Sequence, residues 1–130
     1  MTRLAIAVLS AALLILAASA NAQQSGLTRT DLQRHDLSIP GHEVVQVRVD
    51  FSPHAAAPPH SHPGEEIVYV LDGALEYRIG SEAPTTLHRG DVLFVPAGVV
   101  HSAANVGDGP ASELATYIVE KGRPLVTPAR

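Results

Sequence analysis

From Glu43 to Phe51 apolar and polar positions alternate: Val45, Val47, Val49 and Phe51 fall on one face, Gln46, Arg48 and Asp50 on the other. A period of two with β-branched residues predicts a strand with one buried face. Ile67 to Leu71 predicts a second strand, and Asp72-Gly73 is a hairpin signal leading into a third over Ala74 to Ile79. Further on come the short extended stretch Thr85 to His88, the apolar run Val92-Leu93-Phe94-Val95, an extended stretch through His101 and a last strand from Glu113 to Val119. Glycine, proline and aspartate punctuate them at Gly80 to Pro84, Arg89-Gly90-Asp91, Pro96-Ala97-Gly98 and Gly107 to Pro110. Short strands at this spacing, with no sustained helical period after the first twenty or so residues, predict an all-β sandwich or barrel in one domain, residues 43–120. Residues 23–42 read as an irregular N-terminal arm with one short pairing segment around Leu37. Ser52 to Pro59, with three prolines and three alanines, reads as a loop, since proline does not suit the centre of a sheet. Residues 121–130 read as a tail with few anchors.

The start of the chain changes this picture. Arg3 precedes an almost wholly apolar run, Leu4 to Ala18, and Ala20-Asn21-Ala22 places small residues where a signal peptidase reads them. The run is shorter than the ~20 apolar residues that span a bilayer. Residues 1–22 are therefore expected to be a signal peptide, cut after Ala22 or two residues earlier after Ala20, and the mature protein to be exported, periplasmic or secreted. With no twin-Arg pair in the leader, export unfolded is expected, so any metal would be acquired outside the cytoplasm. Cleavage leaves 108 of the 130 residues and, with Arg3 gone, takes the formal net charge from −4 to −5. That charge contains no long run of one sign and no basic face, which argues against nucleic acid as a partner. Cysteine is absent, so a metal would have to be held by histidine and carboxylate.

Candidate chemistry concentrates between His60 and Gly73, which reads H-S-H-P-G-E-E-I-V-Y-V-L-D-G. In an extended segment side chains two apart share a face, so His60 and His62 can reach one point in space. Pro63-Gly64 supplies turn chemistry, and Glu65-Glu66 opens the next apolar run, from which a carboxylate can swing back to the imidazoles. Nitrogen and oxygen donors of this kind suit a divalent transition metal. Read alone, the stretch fits equally two surface histidines and a solvated acidic pair. Glu66 shares its strand face with Val68 and Val70, so it points inward, where an unpaired charge is costly unless it meets a cation; Glu65 points the other way.

A second stretch, Gly90 to Asn105, reads G-D-V-L-F-V-P-A-G-V-V-H-S-A-A-N. Together the two resemble the cupin superfamily. Its first motif, G-x5-H-x-H-x(3,4)-E-x6-G, is matched by His60, His62, Glu66 and Gly73, with His54 in place of the leading glycine; its second, G-x5-P-x-G-x2-H-x3-N, is matched by Gly90, Pro96, Gly98, His101 and Asn105. The resemblance covers roughly residues 43 to 120. It implies a small antiparallel jelly-roll β-barrel holding one divalent transition metal (Fe, Mn, Ni, Cu or Zn) through His60, His62, Glu66 and His101, with about two positions of an octahedral ion open to a small organic ligand or substrate. A single barrel exposes sheet edges that need cover, which points to a homodimer.

Around that site, Tyr69 and Tyr77 are expected on strand faces opposite to Glu66, in an outer-face or sheet-packing role, Phe94 with Val68 and Val70 along the cavity, and His54 near the cavity mouth as a proton-transfer group. Asn105 is expected to bind backbone near His101, while His35, His42 and His88, without partners at ligand spacing, are expected at the surface. Three classes of function remain open: a metal-dependent oxygenase, isomerase or decarboxylase acting on a small oxygen-rich molecule, a non-catalytic ligand-binding module, and a protein whose metal only stabilises the barrel. No general base beyond the ligands stands out in the sequence, and fold does not decide among the three.

Overall fold

Ten strands in two antiparallel five-stranded sheets make up the described part of the chain, residues 26–130 of a computed structural model. The strands are β1 (Leu27–Asp36), β2 (His42–Phe51), β3 (Ala56–Ser61), β4 (Gly64–Asp72), β5 (Ala74–Ile79), β6 (Thr85–His88), β7 (Val92–Val95), β8 (His101–Asn105), β9 (Ala111–Glu120) and β10 (Thr127–Pro128). One sheet has the order β1-β2-β9-β4-β7 and the other β10-β3-β8-β5-β6. This is the expected all-β jelly roll. The expected signal peptide, residues 1–22, lies outside the described residues.

The alternating face of β2 drives the core. Val45, Val47, Val49 and Phe51 are buried against Val68 and Val70 of β4, Leu75 and Tyr77 of β5, and Ala115, Tyr117 and Val119 of β9. Two glycines make the framework possible. Gly73 takes a φ of +73° in the hairpin between β4 and β5, a conformation that costs glycine little. At the start of β4, a Cβ on Gly64 would lie 2.0 Å from the Ile118 carbonyl oxygen, so only glycine lets β4 approach β9 there.

Three segments differ from the sequence reading. Leu27–Asp36, read as part of an irregular arm, pairs with β2 over its whole length. It is an edge strand with only Leu27 buried, so it carries no alternating pattern for the eye to find, and polar side chains are what protects an edge. Ala56 to Pro59, read as the end of a loop, belong to β3 (Ala56–Ser61). Pro58 and Pro59 fall where its register with β8 breaks, between Ala57 and His60, so their missing N–H groups leave no ladder bond unmade. The tail is anchored as well: Thr127 and Pro128 pair with Ser61 and His60, and Leu125 packs against the core.

Candidate metal centre

Register brings the histidines together. His60 on β3 stands directly opposite His101 at the start of β8, a spacing at which side chains on one face touch. His62 lies in the turn between β3 and β4, pinned by its own carbonyl, which accepts the Gly98 N–H at 3.1 Å. The ring centroids are 4.3 Å apart for His60 and His101, 4.9 Å for His60 and His62, and 5.0 Å for His62 and His101. One nitrogen from each ring lies within 4.8 Å of the other two, a group able to hold a metal ion. His62 and His101 are buried and His60 is half-buried.

Each imidazole is oriented by its Nδ1–H, which donates to a backbone carbonyl: His60 to Pro58 at 2.7 Å, His62 to Leu125 at 2.6 Å and His101 to Val99 at 2.9 Å. A carbonyl only accepts, so these contacts fix the Nδ1–H tautomer and leave each Nε2 as the free donor atom, the usual way a protein holds ligating histidines. Glu66, 3% exposed, enters from β4 with Oε2 at 3.0 Å from His101 Nε2 and 3.2 Å from His62 Nε2. With neutral imidazoles these are acceptors facing an acceptor, and the same three atoms are buried without a hydrogen-bond partner. Such a cluster is repulsive unless protons or a cation sit among it. Without a cation, a proton shared from His101 and His62 outweighs burial and lowers the Glu66 carboxyl to about 2, while Glu66 raises His101 against its own burial; a bound cation would take the place of that proton. Burial dominates at His60 and lowers it to about 4. A carboxylate ionised across the working pH range and an imidazole that stays neutral are the forms that bind a divalent cation.

Beside these groups is a small cavity with about 20 Å³ open to a water-sized group. One sheet lines it with Arg29, Val49, Phe51, Glu66, Glu113 and Tyr117, the other with Ala57, His60, Tyr77, His101 and Ala103. This lining differs from the sequence reading. Phe94 does not line the cavity: it is 56% exposed on the outer face of β7, because β7 alternates and Val95 takes the inward position. Val68 and Val70 are buried in the core and do not line the cavity either. Tyr77 is 2% exposed, not on an outer face, and its hydroxyl donates to Glu113 Oε2 at 2.6 Å. It lies on β5, in the other sheet, so facing relative to Glu66 could not be counted along one strand. Tyr69 is on the outside, as expected.

His54 is also away from the cavity lining, exposed at a φ of +63° with Asp108 at 3.6 Å. Asn105 binds backbone as expected, yet at the neighbouring turns: its Nδ2 donates to the carbonyls of Phe51, Ser52 and Gly109, and its Oδ1 accepts from Gly107 N–H. His35 and His88 are exposed and His42 is half-buried. Arg29 and Glu113 escaped the sequence reading. For Glu113 a signal existed, since it shares a face with Ala115, Tyr117 and Val119 at period two. For Arg29, on a strand without a buried pattern, there was none.

A family model described as a cupin domain matches residues 47–117. The chain belongs to the cupin family. This cupin is 38% identical over 89 residues to germin-like protein subfamily 2 member 1 of Arabidopsis thaliana, covering 62% of this chain and 41% of the relative. It is 35% identical over 105 residues to germin-like protein 1-1 of Oryza sativa subsp. japonica, covering 75% and 47%. The cupin thus spans less than half the length of these relatives. Among solved structures, an oxalate oxidase in complex with glycolate superposes with a TM-score of 0.64 at 26% identity, over 79% of this chain and 55% of that one. A double-stranded β-helix protein from Klebsiella pneumoniae superposes with a TM-score of 0.67 at 22% identity, over 82% and 86%, and shares the fold.

Proposed function

We propose that the protein is an exported cupin that holds one divalent transition metal through His60, His62, Glu66 and His101 and presents it to a small oxygen-rich anion. The observation that carries this is the convergence of buried, partnerless Nε2 and carboxylate oxygen atoms at one point. Their donor set, nitrogen and oxygen without thiolate, suits Fe, Mn, Ni, Cu or Zn. When bound, such an ion supplies Lewis-acid polarisation of a ligand oxygen.

The chain's own residues suit an anionic ligand. Arg29 reaches the cavity from β1, its Nη2 donating to the Tyr117 hydroxyl at 2.9 Å, and it forms no salt bridge among the described residues. Its remaining donors can take a carboxylate. The similar oxalate oxidase, which binds glycolate, supports the same ligand chemistry. Export rests on the leader-like features of residues 1–22.

A homodimer is part of the proposal. Ile67 faces Phe94 and Tyr69 faces Val92 across β4 and the edge strand β7, and all four are exposed. A contiguous apolar strip on a sheet edge suits a second copy of the chain.

The test is spectroscopic: protein loaded with Cu²⁺ should show an altered electron paramagnetic resonance signal on adding glycolate, and Arg29→Ala should weaken the response at least ~10-fold in concentration by loss of the charged contact. A metal signal indifferent to glycolate and other small carboxylates would instead favour a metal that only stabilises the barrel.

A further inference from the structure

The cavity wall facing the histidines carries a second carboxyl that the ligand set does not use. Glu113 projects inward from β9 and is 4% exposed. Its Oε2 accepts the Tyr77 hydroxyl at 2.6 Å. Glu113 is among the residues that line the cavity, and Tyr77 is found on its Oε2 and not on its Oε1. The groups that share this space are Tyr77 from β5, Arg29 from β1, Glu66 from β4, Tyr117 from β9, and His60 and His101 from β3 and β8. Among them Glu113 is the one acidic group outside the proposed ligand set with an oxygen left for a visitor.

We propose that Glu113, held by the Tyr77 hydroxyl, exchanges a proton through Oε1 with a small hydroxyl-bearing carboxylate bound in the cavity. The inference rests on the metal-site reading. Acting as base, Oε1 takes the ligand's hydroxyl proton: the ligand O–H bond breaks, its electron pair stays on the ligand oxygen, and an O–H bond forms on Glu113. Acting as acid, it returns the proton by the reverse step. Neither direction needs an oxidant or reductant. Tyr77 keeps Oε2 occupied and so presents Oε1, while Arg29 takes the ligand's carboxylate at the same wall.

Burial, helped by the Glu66 charge, raises the Glu113 carboxyl to about 7, against the hydrogen bond from Tyr77 and the charges of Arg29 and His101, which pull it down. A group titrating near neutral pH is suited to both directions of transfer. A purely structural tie between the sheets would need the Tyr77 bond alone and would leave Oε1 idle.

The test loads the full chain with Zn²⁺, measures metal content, and titrates it calorimetrically with glycolate in buffers of different ionisation enthalpy, alongside infrared spectra against pH. Wild type should show a protonated-carboxyl band that disappears as pH rises, and glycolate binding should exchange protons with a midpoint at the same pH as the loss of that band. Glu113→Gln should keep its zinc but lose both the band and the exchange. Tyr77→Phe removes a donor that favours the ionised form, so band and exchange midpoint should move to higher pH, which keeps the proposal open to test if Glu113→Gln does not fold. Proton exchange unchanged in a zinc-loaded Glu113→Gln, or no movement in Tyr77→Phe, would overturn the proposal alone. Wild type that takes up no zinc would overturn the metal-site reading and the proposal with it.

Discussion

His62 donates its Nδ1–H to the carbonyl of Leu125 at 2.6 Å, across a sequence separation of 63 residues. The C-terminal tail, which pairs with β3 through Thr127 and Pro128, thereby orients a histidine of the candidate metal centre. The side chain of Leu125 packs on the core, so its carbonyl is held in place by apolar contact as well as by β10.

Removal of residues 121–130 should therefore weaken metal binding without dismantling the barrel. Loss of a partner that orients a ligand costs about 10- to 100-fold in metal affinity. Competition with a chromophoric chelator measures this, and far-ultraviolet circular dichroism checks that the sheets persist. Unchanged affinity would show that the Leu125 carbonyl is dispensable for orienting His62.

Gly64→Ala tests the close approach of β4 to β9. The added Cβ meets the Ile118 carbonyl oxygen and the Val119 Cα, both backbone atoms that cannot swing aside. Overpacking of this kind costs about 3 kcal/mol, and Glu66 follows two residues later on the same strand. Urea unfolding should show the loss of stability and a metal titration should show weakened binding. Full stability in the variant would mean that the two strands separate more easily than their register implies.

Much of this arrangement was legible in the sequence, for reasons that differ from residue to residue. His60 and His62 announce themselves because two positions along an extended chain share a face, and Glu66 because it interrupts the apolar face of Val68 and Val70. His101 was found through the spacing of Gly90, Pro96 and Gly98, not through any pattern of its own. The rest of the lining was hidden. Tyr77 and Glu113 meet across the two sheets, a relation that alternation along one strand cannot reveal. β1 was hidden because a polar edge strand has no buried face, and Arg29 went with it. Phe94 misled because an apolar run reads as buried throughout, whereas the outer face of β7 is exposed.

The elevated Glu113 carboxyl makes stability depend on pH. Its folded value near 7 lies above the ordinary value of 4.5, so the folded chain holds a proton that the unfolded chain has released. That contribution is fully present below about 4.5 and is lost as pH rises towards 7, amounting to roughly 3 kcal/mol over the interval. The difference between wild type and Glu113→Gln, both treated with chelator, should trace this slope in denaturant unfolding. Parallel stability profiles would contradict a proton held by Glu113.

Phe94→Glu places a charge in the strip formed with Ile67, Tyr69 and Val92. Sedimentation velocity should find the wild type as a dimer and the variant as a monomer, with metal content unchanged. A wild type that remains monomeric at high concentration would remove the dimer from the proposal.

The central claim is that one transition metal sits among His60, His62, Glu66 and His101. Elemental analysis of protein purified without chelator from the exported fraction measures it most directly. Close to one transition-metal ion per chain in wild type, and almost none after His60→Ala with His62→Ala in a variant that retains its β-sheet circular dichroism, is the predicted result. A wild type with negligible metal that also fails to take up Mn²⁺, Fe²⁺, Ni²⁺, Cu²⁺ or Zn²⁺ would contradict it.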